Sequence, residues 1–321
     1  MSAYPPIPCP FPDRSSPHAQ DAEEYVRDVA RELGITGGRA HRVTHGMGLG
    51  AAAALTYPDA DRERLRVAAL WIAFLVLFDD DWSDLLELGD DWPQRVSQCH
   101  ADVRRVLDDP WAADVDPLLG VLARVLRDVA TIDPNWDSSG LRREIGRYLA
   151  ATRWEMHLRA AGRTPDLTSY MIMRRTFSTM TVQLELDFFV CRLSLEPWVR
   201  EHPAIRLADA AVADYGCVTN DLFSLEAERA SGLTSNVILV LQHEFGWSLA
   251  EATAYAARIC DQSLSTFDDV RTSLPALGLP ESDALRRYFE HYEAFMSAAA
   301  RWPARSARYR TDSTPMTSTS H

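Results

Sequence analysis

Asp79, Asp80, Asp81 and Asp84 follow directly on the apolar run Val67 to Phe78, and about 140 residues later the chain carries Asn220, Ser224 and Glu228 at intervals of four. On a helix of about 3.6 residues per turn the second set stacks on one face, drifting by roughly 40° per step and spanning about 12 Å. An amide oxygen, a hydroxyl and a carboxylate are all acceptable ligands for Mg²⁺. In the first set Asp80 and Asp84 are one turn apart, while Asp79 lies about 100° round from Asp80. Two metal registers are open: Asp79-Asp80 with Asp84, or Asp80-Asp81 with Asp84. Taken alone, an aspartate run is most often a solvated helix end or cap, and Asn-x-x-x-Ser-x-x-x-Glu a polar helix face. Two such rows across one pocket could hold several Mg²⁺ ions, and those ions could grip a polyphosphate.

The two rows, in this order and at this separation, resemble the aspartate-rich motif and the NSE triad of bacterial class I terpene synthases. Tyr170-x-x-x-Arg174-Arg175, with Arg174 46 residues before Asn220, falls where that family carries its diphosphate-sensing arginine. Arg308-Tyr309 matches the family's terminal Arg-Tyr pair, with Trp302 six residues earlier. Phe11-Pro12-x-Arg14-x-x-Pro17-His18 resembles its N-terminal segment. The resemblance spans residues 8 to 309. It implies an all-α, single-domain helical bundle around a central pocket. It also implies Mg²⁺, as three ions, held by Asp79, Asp80, Asp84, Asn220, Ser224 and Glu228. Asp79 is favoured as first ligand because relatives place an aromatic residue directly before it, as Phe78 is here. Arg174, Arg308 and Tyr309 are then diphosphate ligands, the last two sealing the site on closure. Ser178 falls where the family breaks a helix and presents a carbonyl to the substrate, next to the aromatic Phe177.

The implied activity is cyclisation of a linear isoprenyl diphosphate, farnesyl or geranylgeranyl, to a sesquiterpene or diterpene with release of diphosphate. Such a reaction stabilises a leaving diphosphate with metal ions and arginines. It then keeps a carbocation from water and steadies it against aromatic faces. Charge should therefore be confined to the mouth of an apolar, aromatic pocket, to which Leu75, Val76, Phe78, Phe177, Phe295 and Trp302 are candidates. There are departures from the family. Ala227 stands before Glu228 where a basic residue is frequent, and Arg229 is about 100° of helix away. Val76, Ser178, Ala298 and Ala299 are small where relatives often carry larger groups, which points to a roomy pocket and a C20 chain.

Helices must position these groups. The pattern predicts Asp21 to Leu33, Gly38 to Leu55, Arg62 to Leu88 with the first row, Asp90 to Leu107, Pro117 to Ala130 and Leu141 to Ala161. It continues with Leu167 to Leu193 carrying Arg174, Pro203 to Ala230 with the second row, Asn236 to Glu244, a helix opened by the capping box Ser248 to Glu251 and running to Ser273, and Ser282 to Trp302. No segment alternates with period two and no internal repeat occurs. Residues 1–20 read as an N-terminal arm, 21–309 as one domain and 310–321 as a disordered Ser/Thr-rich tail.

Of 321 residues, 46% are apolar, enough for one large core. The net charge of −13 argues against nucleic acid as a partner. It also means that local metal ions must reverse the field for an anionic substrate. Every fixed cation is arginine, suited to bidentate phosphate contacts. Cys9, Cys99, Cys191, Cys217 and Cys260 show no paired spacing, which suggests reduced thiols and a cytoplasmic protein. Met1 to Pro12 lacks the pattern of a signal peptide, and the apolar run before Asp79 is too short for a membrane span. A second copy of the chain, as a homodimer, is carried as a candidate partner. Two rivals remain. A chain-elongating prenyltransferase would need a second Asp-rich motif in place of Asn220 to Ser224 and basic residues for a second diphosphate. A non-catalytic helical scaffold would not need ligands at these intervals together with distant arginines.

Overall fold

A computed structural model describes residues 7–35, 43–84, 89, 91–111, 115–230 and 232–306, with the side chains of residues 80–84 and 304 outside the description. The described residues form helices and no strand. In chain order these are α1 (Ala19–Glu32), α2 (Leu49–Thr56), α3 (Arg62–Asp84), α4 (Trp92–Asp108), α5 (Pro117–Ile132), α6 (Ser139–Ala160), α7 (Leu167–Phe177), α8 (Met180–Val190), α9 (Pro197–Arg200), α10 (Pro203–Ala230), α11 (Val237–Phe245), α12 (Leu249–Thr272) and α13 (Asp283–Arg305). None is long and apolar enough to cross a membrane.

The helix starts are fixed locally. Asp116, Asp166, Asn236, Ser248 and Ser282 each accept a backbone N–H of the first turn, and Ser248 with Glu251 completes the capping box. The core divides in two. Around α3, whose residues from Leu65 to Phe74 are almost all sealed from solvent, gather α1, α2, α5, α6 and α8. A helix apolar on every side can only be an interior one. Around α10 gather α7, α11, α12 and α13. Arg174 and the second row lie where α7 meets α10 and the start of α11, and α3 ends beside α6 through Phe78 and Tyr148. Gly50 lets α2 cross α1: a Cβ there would stand 2.3 Å from the Ala19 carbonyl oxygen, and its N–H donates to Glu23 Oε2 at 2.6 Å.

Most helix ends fall within three residues of the sequence reading. Three regions differ. Of the helix expected over Gly38 to Leu55, residues 38–42 lie outside the described residues, 43–46 are helical, and α2 restarts at Leu49 after a break at Gly48 in a left-handed conformation (φ 68°). The short α9 was not anticipated. Leu167 to Leu193 is not one helix but two, α7 and α8, parted at Ser178-Thr179. Thr179 has φ 67° and ψ 9°, a conformation that a β-branched residue adopts only under constraint. Its N–H bonds back to the Thr176 carbonyl at 3.1 Å, and its own carbonyl accepts the Gln183 N–H at 2.8 Å to start α8.

The N-terminal arm is tied down. Tyr215 donates to the Pro8 carbonyl at 2.7 Å, Ser297 to that of Pro12 at 2.9 Å and Arg301 to that of Phe11 at 2.8 Å. Phe11 sets its ring edge-on to Phe267 at 6.2 Å, and Arg305 pairs with Asp13.

Candidate active site

The second row is held by one carboxylate that is not part of it. Asn220, Ser224 and Glu228 lie half-buried on one face of α10, and Ser224 Oγ donates to the Asn220 carbonyl at 2.9 Å. Asp221, next to Asn220, is fully buried. It accepts from Arg174 Nε at 3.1 Å and Nη2 at 2.6 Å, from the Tyr170 hydroxyl at 2.6 Å and from the Val237 N–H at 2.9 Å. Arg174 Nη2 also reaches Asn220 Oδ1 at 2.9 Å. Of the pair Arg174-Arg175, the sequence reading takes Arg174 to point inward. Arg174 does so, while Arg175 is engaged by Asp214 through two bonds of 2.6 and 2.7 Å. Phe177 lies beneath the Arg174 guanidinium, 5.2 Å from ring centroid to carbon, and packs on Trp154 and Tyr170. It thus supports the arginine through its ring face.

Charge in this corner is set by burial and by Asp221. Burial opposes the Arg174 charge, but Asp221 and its neighbours outweigh it and hold the pKa well above the ordinary value. Burial and the same carboxylate push the Tyr170 phenol up. Burial first, then the charge of Asp221, push the Glu228 carboxyl up. An amide oxygen, a hydroxyl and such a carboxylate form a hard-oxygen donor set short of positive charge, which suits a divalent cation. Among the described residues no three of His, Cys, Asp or Glu gather as a metal group, consistent with a row that has one carboxylate among its three donors.

The first row stands at the end of α3. Phe78 is buried against Phe74 and Tyr148, with centroids at 5.3 and 5.8 Å, and Asp79 after it is exposed. Asp80 and Asp84 continue the helix, but their side chains lie outside the description. Arg308 and Tyr309 lie outside the described residues altogether. Glu155 on α6, which sequence reasoning missed, lies within electrostatic reach of both Asp79 and Arg174. Burial raises its pKa, a hydrogen bond from Ser235 and the charge of Arg159 lower it, Asp79 raises it and Arg174 lowers it, with a net upward shift. One carboxylate therefore feels both the first row and the arginine of the second. Asp79 likewise adds to burial in raising the Tyr148 phenol. The available signal was spacing: Tyr148, Thr152 and Glu155 recur at i, i+4 and i+7, so Glu155 falls on the inward face of α6.

One turn before Asn220 on α10, the surroundings become apolar. Gly216 faces the ring of Phe295, whose nearest carbons would stand 3.1 Å from a Cβ there, and Met180 Sδ at 3.4 Å. Met180, Ala213, Cys217 and Phe295 pack together. Ser178 Oγ lies 3.1 Å from Cys217 Sγ, so the helix break abuts this group. Burial pushes the Cys217 thiol up to about 12, which leaves it an un-ionised packing group. Charge and hydrogen-bonding groups above, aromatic and thioether groups one turn below, give the contrast that a cation-forming reaction requires.

Residues 70–266 match the family model described as terpene synthase family 2, C-terminal metal binding. The (+)-T-muurolol synthase of Roseiflexus castenholzii is 30% identical over 306 residues, covering 94% of this chain and 92% of that protein. The terpentetriene synthase of Kitasatospora griseola is 29% identical over 307 residues, covering 92% and 96%. The 10-epi-cubebol synthase of Sorangium cellulosum is 30% identical over 308 residues, covering 94% and 96%. The linalool/nerolidol synthase of Streptomyces clavuligerus, solved with 2-fluorogeranyl diphosphate, shares the fold with a TM-score of 0.78 at 23% identity over 94% of this chain and 99% of that one. The chain belongs to the terpene synthase family, and the domain that it matches is a metal-binding one.

Proposed function

We propose that this terpene synthase ionises a linear isoprenyl diphosphate with the help of Mg²⁺ and cyclises the resulting carbocation. The observation that carries the reading is the placement of Arg174. A buried guanidinium stands 2.9 Å from the first residue of a hard-oxygen row, fixed there by Asp221. A cation for the diphosphate and donors for the metal thus share one corner. When bound, Mg²⁺ supplies the charge neutralisation that lets diphosphate leave; three ions are the proposed number. Asn220, Ser224 and Glu228, with Asp79, Asp80 and Asp84 opposite, are proposed to hold them. Arg174 orients the diphosphate, and Arg308 and Tyr309 close over it. Phe295, Met180 and the break at Ser178 surround the isoprenyl chain and keep water from the cation. Farnesyl diphosphate is the favoured substrate, because the muurolol relative is named for cyclising it. The scattered spacing of the five cysteines, none of them in a disulfide, supports a cytoplasmic location.

The test is incubation of the purified protein with Mg²⁺ and C10, C15, C20 and C25 diphosphates, with mass-spectrometric analysis of organic extracts. One chain length should yield cyclic hydrocarbons or alcohols together with inorganic diphosphate, and excess EDTA should stop the reaction. No product from any substrate would overturn the reading, as would full turnover in EDTA. Elongated prenyl diphosphates formed with added isopentenyl diphosphate would replace it by chain elongation.

A further inference from the structure

We propose that Asn236, which belongs to neither row, is a positioning residue for Glu228, and that with Asp221 it fixes Glu228 and Arg174 in one frame. This rests on the metal-dependent reading above. Asn236 is fully buried at the start of α11. Its Oδ1 accepts the Ile238 N–H at 2.9 Å and so caps that helix. Its Nδ2 donates twice, to the Asp221 carbonyl at 2.7 Å and to Glu228 Oε2 at 2.8 Å. The next N–H along the chain, that of Val237, goes to the Asp221 carboxylate at 2.9 Å.

The side-chain requirements at this position exceed those of a cap. Asp, Ser and Thr all cap helices about as well as Asn. None of them offers two N–H donors beside one acceptor. Gln offers both, but on a longer stem that would carry the amide past the first turn. The residue type is therefore demanded by the pair Asp221 and Glu228, not by α11. Glu228 is in turn held by Asn236 through its Oε2 at 2.8 Å. That bond restricts the direction in which the carboxylate points. Asp221, bonded through its carbonyl to Asn236 and through its carboxylate to Arg174, makes the position of the arginine depend on the same amide. Partners that orient metal ligands in this way govern affinity for the ion without touching it.

The test uses Asn236→Asp and Asn236→Ser in the full chain. Both keep a capping oxygen, and both lose the donors; the first also sets a carboxylate against Glu228. Thermal melts are recorded while Mg²⁺ is titrated at fixed inorganic diphosphate, alongside steady-state turnover across the same Mg²⁺ range. The native protein should gain thermal stability on titration. In both variants the Mg²⁺ concentration for the half-maximal shift should rise about 10- to 100-fold. Turnover should fall at low Mg²⁺ and recover in part at high Mg²⁺, a pattern that a mere loss of helix α11 would not produce. An unchanged Mg²⁺ half-point in the folded variants overturns the inference. So does a loss of folded protein in both variants with an unaltered Mg²⁺ response in the fraction that remains, which would make Asn236 a structural cap only. A native protein that ignores Mg²⁺ and diphosphate would instead sink the functional reading itself.

Discussion

Asp221 should be a residue on which the corner around Arg174 depends, and the dependence has a size. Replacing Asp221 with Asn keeps the shape and removes the charge. The Arg174 guanidinium, 11% exposed, then loses its ion-pair partner, and since each Asp221 oxygen accepts two bonds, the amide N–H₂ that replaces one of them meets two donors. Breaking a buried ion pair from one side costs about 3–5 kcal/mol. For a chain of 321 residues, an unfolding entropy of about 2.1 cal/mol/K per residue gives roughly 0.7 kcal/mol/K. Asp221→Asn should thus lower the melting temperature by about 4–7 °C, measured by calorimetry without metal or diphosphate. The cycle is completed by Arg174→Met and by the double change Arg174→Met with Asp221→Asn. Removing both partners leaves no buried charge, so the double variant should be more stable than the sum of the single losses predicts. It should nevertheless be without turnover. A shift below about 1 °C for Asp221→Asn, or strictly additive losses around the cycle, would refute the pairing as the source of stability.

Gly216→Ala sets a methyl group against the Phe295 ring and Met180 Sδ, at 3.1 and 3.4 Å, and should change the product ratio with only a small loss of stability; an unaltered product profile would place Phe295 outside the substrate cavity. Burial, countered in part by the Tyr288 hydrogen bond and by Arg206 and Arg200, pushes the Asp209 carboxyl up to about 6 from 3.8. The folded state therefore binds the extra proton between these values, so this contribution to stability is full below about pH 4 and is lost as pH rises through about 6. Asp209→Asn should gain about 2–3 kcal/mol on the native protein at pH 8 and almost nothing at pH 4, read from melts at both pH values. Alanine at Asn220, Ser224 or Glu228 should each lower turnover by about two orders of magnitude or more, with pairs little worse than singles, because one lost ligand already weakens the whole site. Glu226, exposed and 3.6 Å from Arg229, should tolerate alanine, and a dead Glu226→Ala with an active Glu228→Ala would overturn the assignment.

The long helices could be read from sequence because burial leaves a periodic trace. The run from Val67 to Phe78 is apolar all round and is the core helix, and the second row keeps its spacing because α10 is unbroken from Pro203 to Ala230. The break at Ser178-Thr179 left no periodic trace; only the family resemblance pointed to it, at Ser178. A threonine in a left-handed conformation is imposed by its surroundings, and local propensity argues against it. The supporting residues of the site were missed for a related reason. Asp221 looks like a spacer within Asn220 to Glu228, and Asn236 like an ordinary helix start. Both owe their roles to partners 47 and 8 positions away, Arg174 and Glu228, and pairings across the fold are not written in any one segment.

The clasp between arm and last helix bears on how the chain is made. Pro12 waits for Ser297, 285 positions later, Phe11 for Arg301 and Asp13 for Arg305, each about 290 positions on. A chain synthesised from its N-terminus can begin to fasten this arm through Tyr215 and Phe267, but cannot complete the fastening until α13 has been delivered. Contacts of such separation come late, because the intervening chain must first be ordered. The arm is thus among the last of the described segments to be fully placed, and a nascent chain stalled before α13 would hold both acidic rows without the bonds that strap this arm to that helix.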